Sequence, residues 1–415
     1  MRFWAPGRAG VTYSRSEACR RPSSSCNRRQ TSCTSTRHLS TRLAASKVRL
    51  LCGDLAHVHG PEATRTEAKG AYAAYQAALA RVDQASGLED PQTAEQRLWA
   101  LARAAPARRP AAAQGGIDHD KLLGAILGAA CGDAASMGLH WLYDMDKLKA
   151  RVGDDLLGAA FHEPQNCFYS YASGSPSPYG QQTLALLRSI AETGGFSPEA
   201  YAARNFSTFS APAFISSGGY LDGSTRGFLR NVQAGAAWPL CGTDDSQANC
   251  VCRLPPLVAL FAGDAALIPC VADMIRVTQN NNTAVAWGCA AARVLEAIIL
   301  GAPPSEAVTL AIAALEDSNR TSPLALDADV AAAMKAAYAL REFSHADAVS
   351  QLGRNCHLPG CVQSPVHALV CTVSLRLPGQ CSGYQVAVTD TILQVNIESV
   401  FGACCQSHSL RLPSA

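Results

Sequence analysis

Asp133 is the only acid between Asp120 and Asp144, in an otherwise apolar run that carries Gly124, Gly128 and Gly132. Three glycines spaced by four fall along one side of a helix. Each costs about 1 kcal/mol against alanine there, so the spacing points to close approach of another backbone or a ligand. A carboxylate where that stripe ends can serve in acid–base or cation chemistry; it can equally cap a following helix. Other polar clusters sit between apolar segments. They are Gln181-Gln182-Thr183; Asp222, Ser224, Arg226 and Arg230; Asp244-Asp245 followed by Asn249 and Arg253; Gln279 before three asparagines; and His357. Each alone reads as an ordinary helix cap, since Asp, Asn and Ser favour such positions. Several in one helical domain point to a shared polar pocket held on a rigid scaffold.

The elements that must position them are helices. Leu122, Leu123, Ile126, Leu127 and Ala130 recur at helical spacing, with Asp118 or Asp120 as the cap. Ser177 and Pro178 open another helix, in which Leu184, Leu187 and Ala191 share a face. Residues 282–301 are apolar almost all round, as in a helix central to a bundle, and two amphipathic helices follow. Sustained period-two alternation is absent. The expected fold class is all-α, a single compact domain over 117–405.

The remainder of the 415 residues divides into two parts. Residues 1–50 hold ten arginines among serines and threonines with Glu17 as the only acid. This composition reads as a transit peptide for an organelle, or as a basic tail. Residues 61–103 read as a helical extension, joined through Pro106, Pro110 and Gly115-Gly116. With 48% hydrophobic and 16% charged residues a large core is expected. A net charge of +2 argues against nucleic-acid binding by the chain as a whole. The apolar run before Asp133 is shorter than the ~20 residues of a membrane span. Seventeen cysteines without a pair of CxxC motifs read as small buried hydrophobes of a reducing compartment. P-loop, dinucleotide-binding, HExxH and GxSxG motifs are absent from the sequence.

Taken in order, several segments resemble the ADP-ribosylglycohydrolase family, and more closely its crystallin-J1-like branch. GAILGAACGDAASMGLHW is similar to that family's opening helix and GDA motif. SPYGQQTLALLRSI stands where the family has Thr-Asp-Asp-Thr, and SQANCVCRLPPL resembles the loop that cradles ADP-ribose. VTQNNNTAVAWGCAAARVLEAIILG, RNCHLPGCVQSPVHAL and VNIESVFGACC are similar to the later segments. The resemblance implies an all-α fold whose cleft holds two magnesium ions and hydrolyses a glycosidic bond to ADP-ribose. The partner would be an ADP-ribose-like small molecule or an ADP-ribosylated acceptor.

Carried over position by position, the resemblance gives Asp133 and Glu398 as catalytic candidates. His140, Asp244, Asp245, Asn249, Arg253, Gln279 and His357 become ligand-binding candidates. The metal positions are Gln181, Gln182, Thr183, Asn396, Glu398 and Ser399. The chain departs from the family at the carboxylates. Gln181 and Gln182 replace the Asp-Asp pair, Asn396 and Glu398 leave one acid of two in the late motif, and His140 replaces the acid beyond GDA. Hard Mg²⁺ wants charged oxygen ligands. Two readings follow: an ADP-ribosyl hydrolase with a rebuilt site, or a non-catalytic, crystallin-like or ligand-binding relative.

Overall fold

The structure, a computed structural model, describes residues 87–111, 116–152, 160–166, 168–320 and 323–371. The expected transit segment 1–50, the first part of the 61–103 extension, and Asn396, Glu398 and Ser399 lie outside these residues. No strand occurs among the described residues, only three isolated bridges.

Fifteen α-helices follow one another among the described residues. The first five are α1 (Pro91–Ala104), α2 (His119–Ser136), α3 (Met145–Val152), α4 (Pro178–Thr193) and α5 (Pro198–Phe209). Next come α6 (Pro212–Ser216), α7 (Gly223–Gln233), α8 (Asn249–Cys252), α9 (Leu254–Phe261) and α10 (Leu267–Thr278). The series ends with α11 (Asn282–Ile299), α12 (Pro304–Glu316), α13 (Asp327–Ala339), α14 (His345–Leu352) and α15 (Gly360–Val370).

Local chemistry sets many of the helix starts. Asp118 caps α2 by accepting from the Asp120 amide, and Ser177 caps α4 ahead of Pro178 at N1. Asp222 caps α7, and Asn281 caps α11. Helix α11 buries 13 of its 18 residues, which places it at the centre, with α10, α12, α8 and α9 packed around it. Helix α1 lies on α5 with Ala94, Leu98 and Ala102 buried, and Arg97 donates to the Val232 carbonyl.

Two faces differ from the sequence expectation. On α2 the buried stripe is Ala125, Ala129, Asp133, not the glycines, which are half-buried one residue out of phase. At about 100° per residue this offset turns the glycine row to the flank of the contact with α9. On α4 the buried face is Gln182, Ala185, Leu186 and Ser189, while Leu184 and Leu187 line a cavity and Ala191 is exposed. With its 3-10 extension α2 reaches Leu139, and this 21-residue span is long and apolar enough to cross a membrane. Here it packs on α9, α4 and α11.

Candidate functional site

The start of α4 is where the polar residues gather. Asp133, at the last turn of α2, is 5% exposed, and its carboxylate faces the first turn of α4. It accepts the Ser177 hydroxyl at 2.5 Å and the Ser177 amide at 2.7 Å. Ser177 Oγ in turn accepts from the Tyr179 and Gly180 amides. The carboxylate therefore caps a helix, though one 44 residues away rather than the next. A Cβ on Gly180 would lie 2.1 Å from Asp133 Oδ2, so glycine is required for this approach. Burial pushes the Asp133 carboxyl up to about 6, against the lowering effect of its hydrogen bonds.

One turn further along, Gln182 begins a continuous hydrogen-bonded lattice. Its Nε2 donates to Asp222 Oδ2 at 2.5 Å, and its Oε1 accepts from Asn249 Nδ2 at 3.2 Å. The Asn249 carbonyl accepts from Arg253 Nε at 2.9 Å. Arg253 is fully buried and donates also to Thr278 Oγ1, Tyr201 Oη and Gln279 Oε1. Gln279 Nε2 reaches Asp245 Oδ1 at 3.0 Å and the Gln247 carbonyl at 2.9 Å. Six of the residues singled out in the sequence thus form one chain: Asp222, Gln182, Asn249, Arg253, Gln279 and Asp245. Arg253, with 0% exposure, acts on that chain from inside and offers no surface to a ligand.

The remaining candidates lie around this chain. Asp245 is half-buried, and its carboxyl is raised by burial and, secondarily, by the Asp222 carboxylate. Asp244 is exposed and accepts from Asn281 Nδ2 at 2.6 Å; it shares no partner with Asp133. His357 is exposed and pairs its backbone with Gln247. His140 is 5% exposed, with Nε2 3.2 Å from Ser136 Oγ and its ring beside Trp141 and Tyr179. Burial pushes its imidazole down to about 3, which keeps it neutral at physiological pH. Gln181 is half-buried, and its Oε1 has no hydrogen-bond partner among the described residues.

Asp222 and Ser177 complete the site, and the sequence presented both as simple caps. Asp222 takes five donors: the Ser224 amide and hydroxyl, the Thr225 amide and hydroxyl, and Gln182. Its Asp-Gly-Ser-Thr setting signals a cap; nothing in the sequence signals the partner 40 residues away.

Magnesium does not fit the described part of this arrangement. Both polar atoms of Gln182 are engaged, and neither carries formal charge. The Thr183 hydroxyl donates to the Cys252 carbonyl at 2.9 Å and faces that of Tyr179. Asp222 is filled by donors. Among the described residues no group of three or more His, Cys, Asp or Glu is placed to hold a metal ion.

Comparison with known proteins places this arrangement in a lineage. Residues 114–392, more than half of the chain, match the ADP-ribosylglycohydrolase family. Crystallin J1A of Tripedalia cystophora is 27% identical over 260 residues, covering 60% of this chain and 77% of the crystallin. Crystallin J1B of the same animal is 26% identical over the same length and coverage. A solved structure described as an ADP-ribosylglycohydrolase-related protein complex aligns with a TM-score of 0.47 at 17% identity. It covers 70% of this chain and 87% of its own. The chain belongs to the ADP-ribosylglycohydrolase family, on its crystallin-J1-like branch.

Proposed function

We propose that this chain is a non-hydrolytic member of its family, keeping the fold and a magnesium-independent pocket for an ADP-ribose-like ligand. One observation carries the reading: the Gln182 amide bridges Asp222 and Asn249 at a position where the resemblance implies a metal-binding acid. A carboxylate there would face Asp222 across a buried contact, whereas the amide gives a donor to one neighbour and an acceptor to the other. The two acids best placed to compensate are otherwise engaged. Asp133 holds the α4 cap, and Asp244 sits on the surface beside Asn281. The lattice from Gln182 to Asp245 then serves as a rigid floor for the polar loops.

The test is calorimetric titration of the full chain with ADP-ribose, with and without Mg²⁺, beside an assay for ADP-ribose release from an ADP-ribosylated peptide. Binding that is unchanged by Mg²⁺, with no release, is the expected result. Release that requires Mg²⁺ overturns the reading in favour of a hydrolase whose carboxylates, Glu398 among them, are drawn from elsewhere in the chain. Absence of binding under both conditions removes the ligand and leaves a structural relative.

A further inference from the structure

A separate feature lies on the other side of Asp133. A cavity of about 110 Å³ opens between α2 and α4. Its walls are mainly apolar, with Ile126, Ala129, Leu184 and Leu187 among the lining residues, and Thr183 and Asp133 bring polar side chains. Several waters would fit by volume, since one needs roughly 10–15 Å³, but walls of this kind give water few partners. For scale, an apolar cavity of about 150 Å³ accepts benzene. The space suits a ligand of about five heavy atoms, apolar along its length.

The polar end of that ligand is set by Asp133. A carboxylate has about four lone-pair sites, and the protein supplies two donors, the Ser177 amide and the Ser177 hydroxyl, leaving acceptor capacity over. None of the cavity's lining residues is Lys, Arg or His, so no cation there neutralises the charge. An apolar cavity with a buried, incompletely satisfied anion in its wall matches an alkyl chain that carries a cationic donor.

We propose that the cavity between α2 and α4 binds a short primary alkylammonium, its chain along Leu184, Leu187 and Ile126 and its ammonium on Asp133. This site is distinct from the Gln182 to Asp245 lattice and does not rest on the reading of that lattice given above. An ion pair formed away from water is stronger than one at the surface, and the apolar walls add about 25 cal/mol for each Å² of alkyl surface covered. A carboxylate ligand is repelled, and a neutral alcohol of the same length loses the ionic contact.

The experiment is calorimetric titration of the full chain with n-butylammonium, with n-butanol and butyrate as matched probes. Butylammonium should bind one to one, at least tenfold more tightly than butanol, with butyrate silent. Lowering the pH from 7.5 to 5 should weaken binding about tenfold, because the carboxyl that receives the ammonium becomes protonated. Asp133→Asn should abolish the preference for the cation. Because that change also touches the α4 cap, Ala130→Phe provides an independent check. Ala130 is an exposed rim position, and a large ring there closes the mouth while leaving Asp133 and Ser177 in place. Equal binding of butanol and butylammonium, butylammonium binding that survives Ala130→Phe, or no binding up to about 10 mM overturns the proposal.

Discussion

The two sides of the α4 N-terminus hold acids in opposite ways. On one side Asp133 lines an apolar cavity, with two donors for about four acceptor sites. On the other, Asp222 has five donors and joins a lattice that runs through Gln182, Asn249, Arg253 and Gln279 to Asp245. The first arrangement keeps acceptor capacity that a cationic ligand can use. The second has spent its hydrogen-bonding capacity on the protein except at Asn249 Oδ1, which is buried without a partner among the described residues. Polar residues at family positions therefore do not by themselves make a ligand site; what counts is where their donors and acceptors point.

The sharpest way to break this contrast is at the centre of the lattice. Arg253→Met removes the donor shared by Asn249, Tyr201, Thr278 and Gln279 and leaves buried acceptors unpaired. We expect a loss of about 3–5 kcal/mol in denaturant unfolding. A loss below about 1 kcal/mol would mean that the lattice is not a structural keystone. Gln182→Glu is the next largest: a second carboxylate against Asp222 should cost about 2–4 kcal/mol, and millimolar Mg²⁺ should not recover it in a thermal scan. Recovery by Mg²⁺ would turn the lattice into a latent metal site and erase the contrast.

The pH dependence of stability sharpens the other side. His140 is held neutral by burial, so its contribution is full above about 6.5 and is lost as pH falls toward its folded value near 3. Asp133 works in the reverse sense. Its raised carboxyl gives stability that is full below the ordinary aspartate value near 3.9 and is lost as pH rises through about 6. Between about pH 4 and 6 the two linkages oppose each other. In Asp133→Asn, stability should therefore fall on acidification more steeply than in the parent, by up to about 1.4 kcal/mol per pH unit. An unchanged slope in unfolding followed across that range would show that Asp133 is not held in its raised state. The smallest effect is expected at the surface. Asp244→Asn should change stability by no more than about 0.5 kcal/mol and leave ligand binding intact, as measured in the same titrations.

Much of the scaffold was legible because it rests on local rules. Ser177-Pro178 before an apolar run starts α4, Asn281 starts α11, and the all-round apolar pattern of 282–299 marks a central helix. The polar loops were legible as a group, and six of their residues do meet in one lattice. The role of each was not. Arg253 read as a ligand contact and is sealed inside; Asp222 read as a cap and is also the partner of Gln182. The glycine row of α2 misled for a related reason: spacing shows which residues share a face but not which face meets α9.

The helical class, many of the helix starts and the uncharged Gln181-Gln182 pair at the head of α4 can be read along the chain, since periodicity, capping and side-chain charge are properties of residues and near neighbours. That Asp133 caps a helix 44 residues away and that Gln182 stands between Asp222 and Asn249 emerges only when the chain is folded. Those contacts join distant stretches of chain, and burial, which makes each unmet donor or acceptor costly, is what selects them.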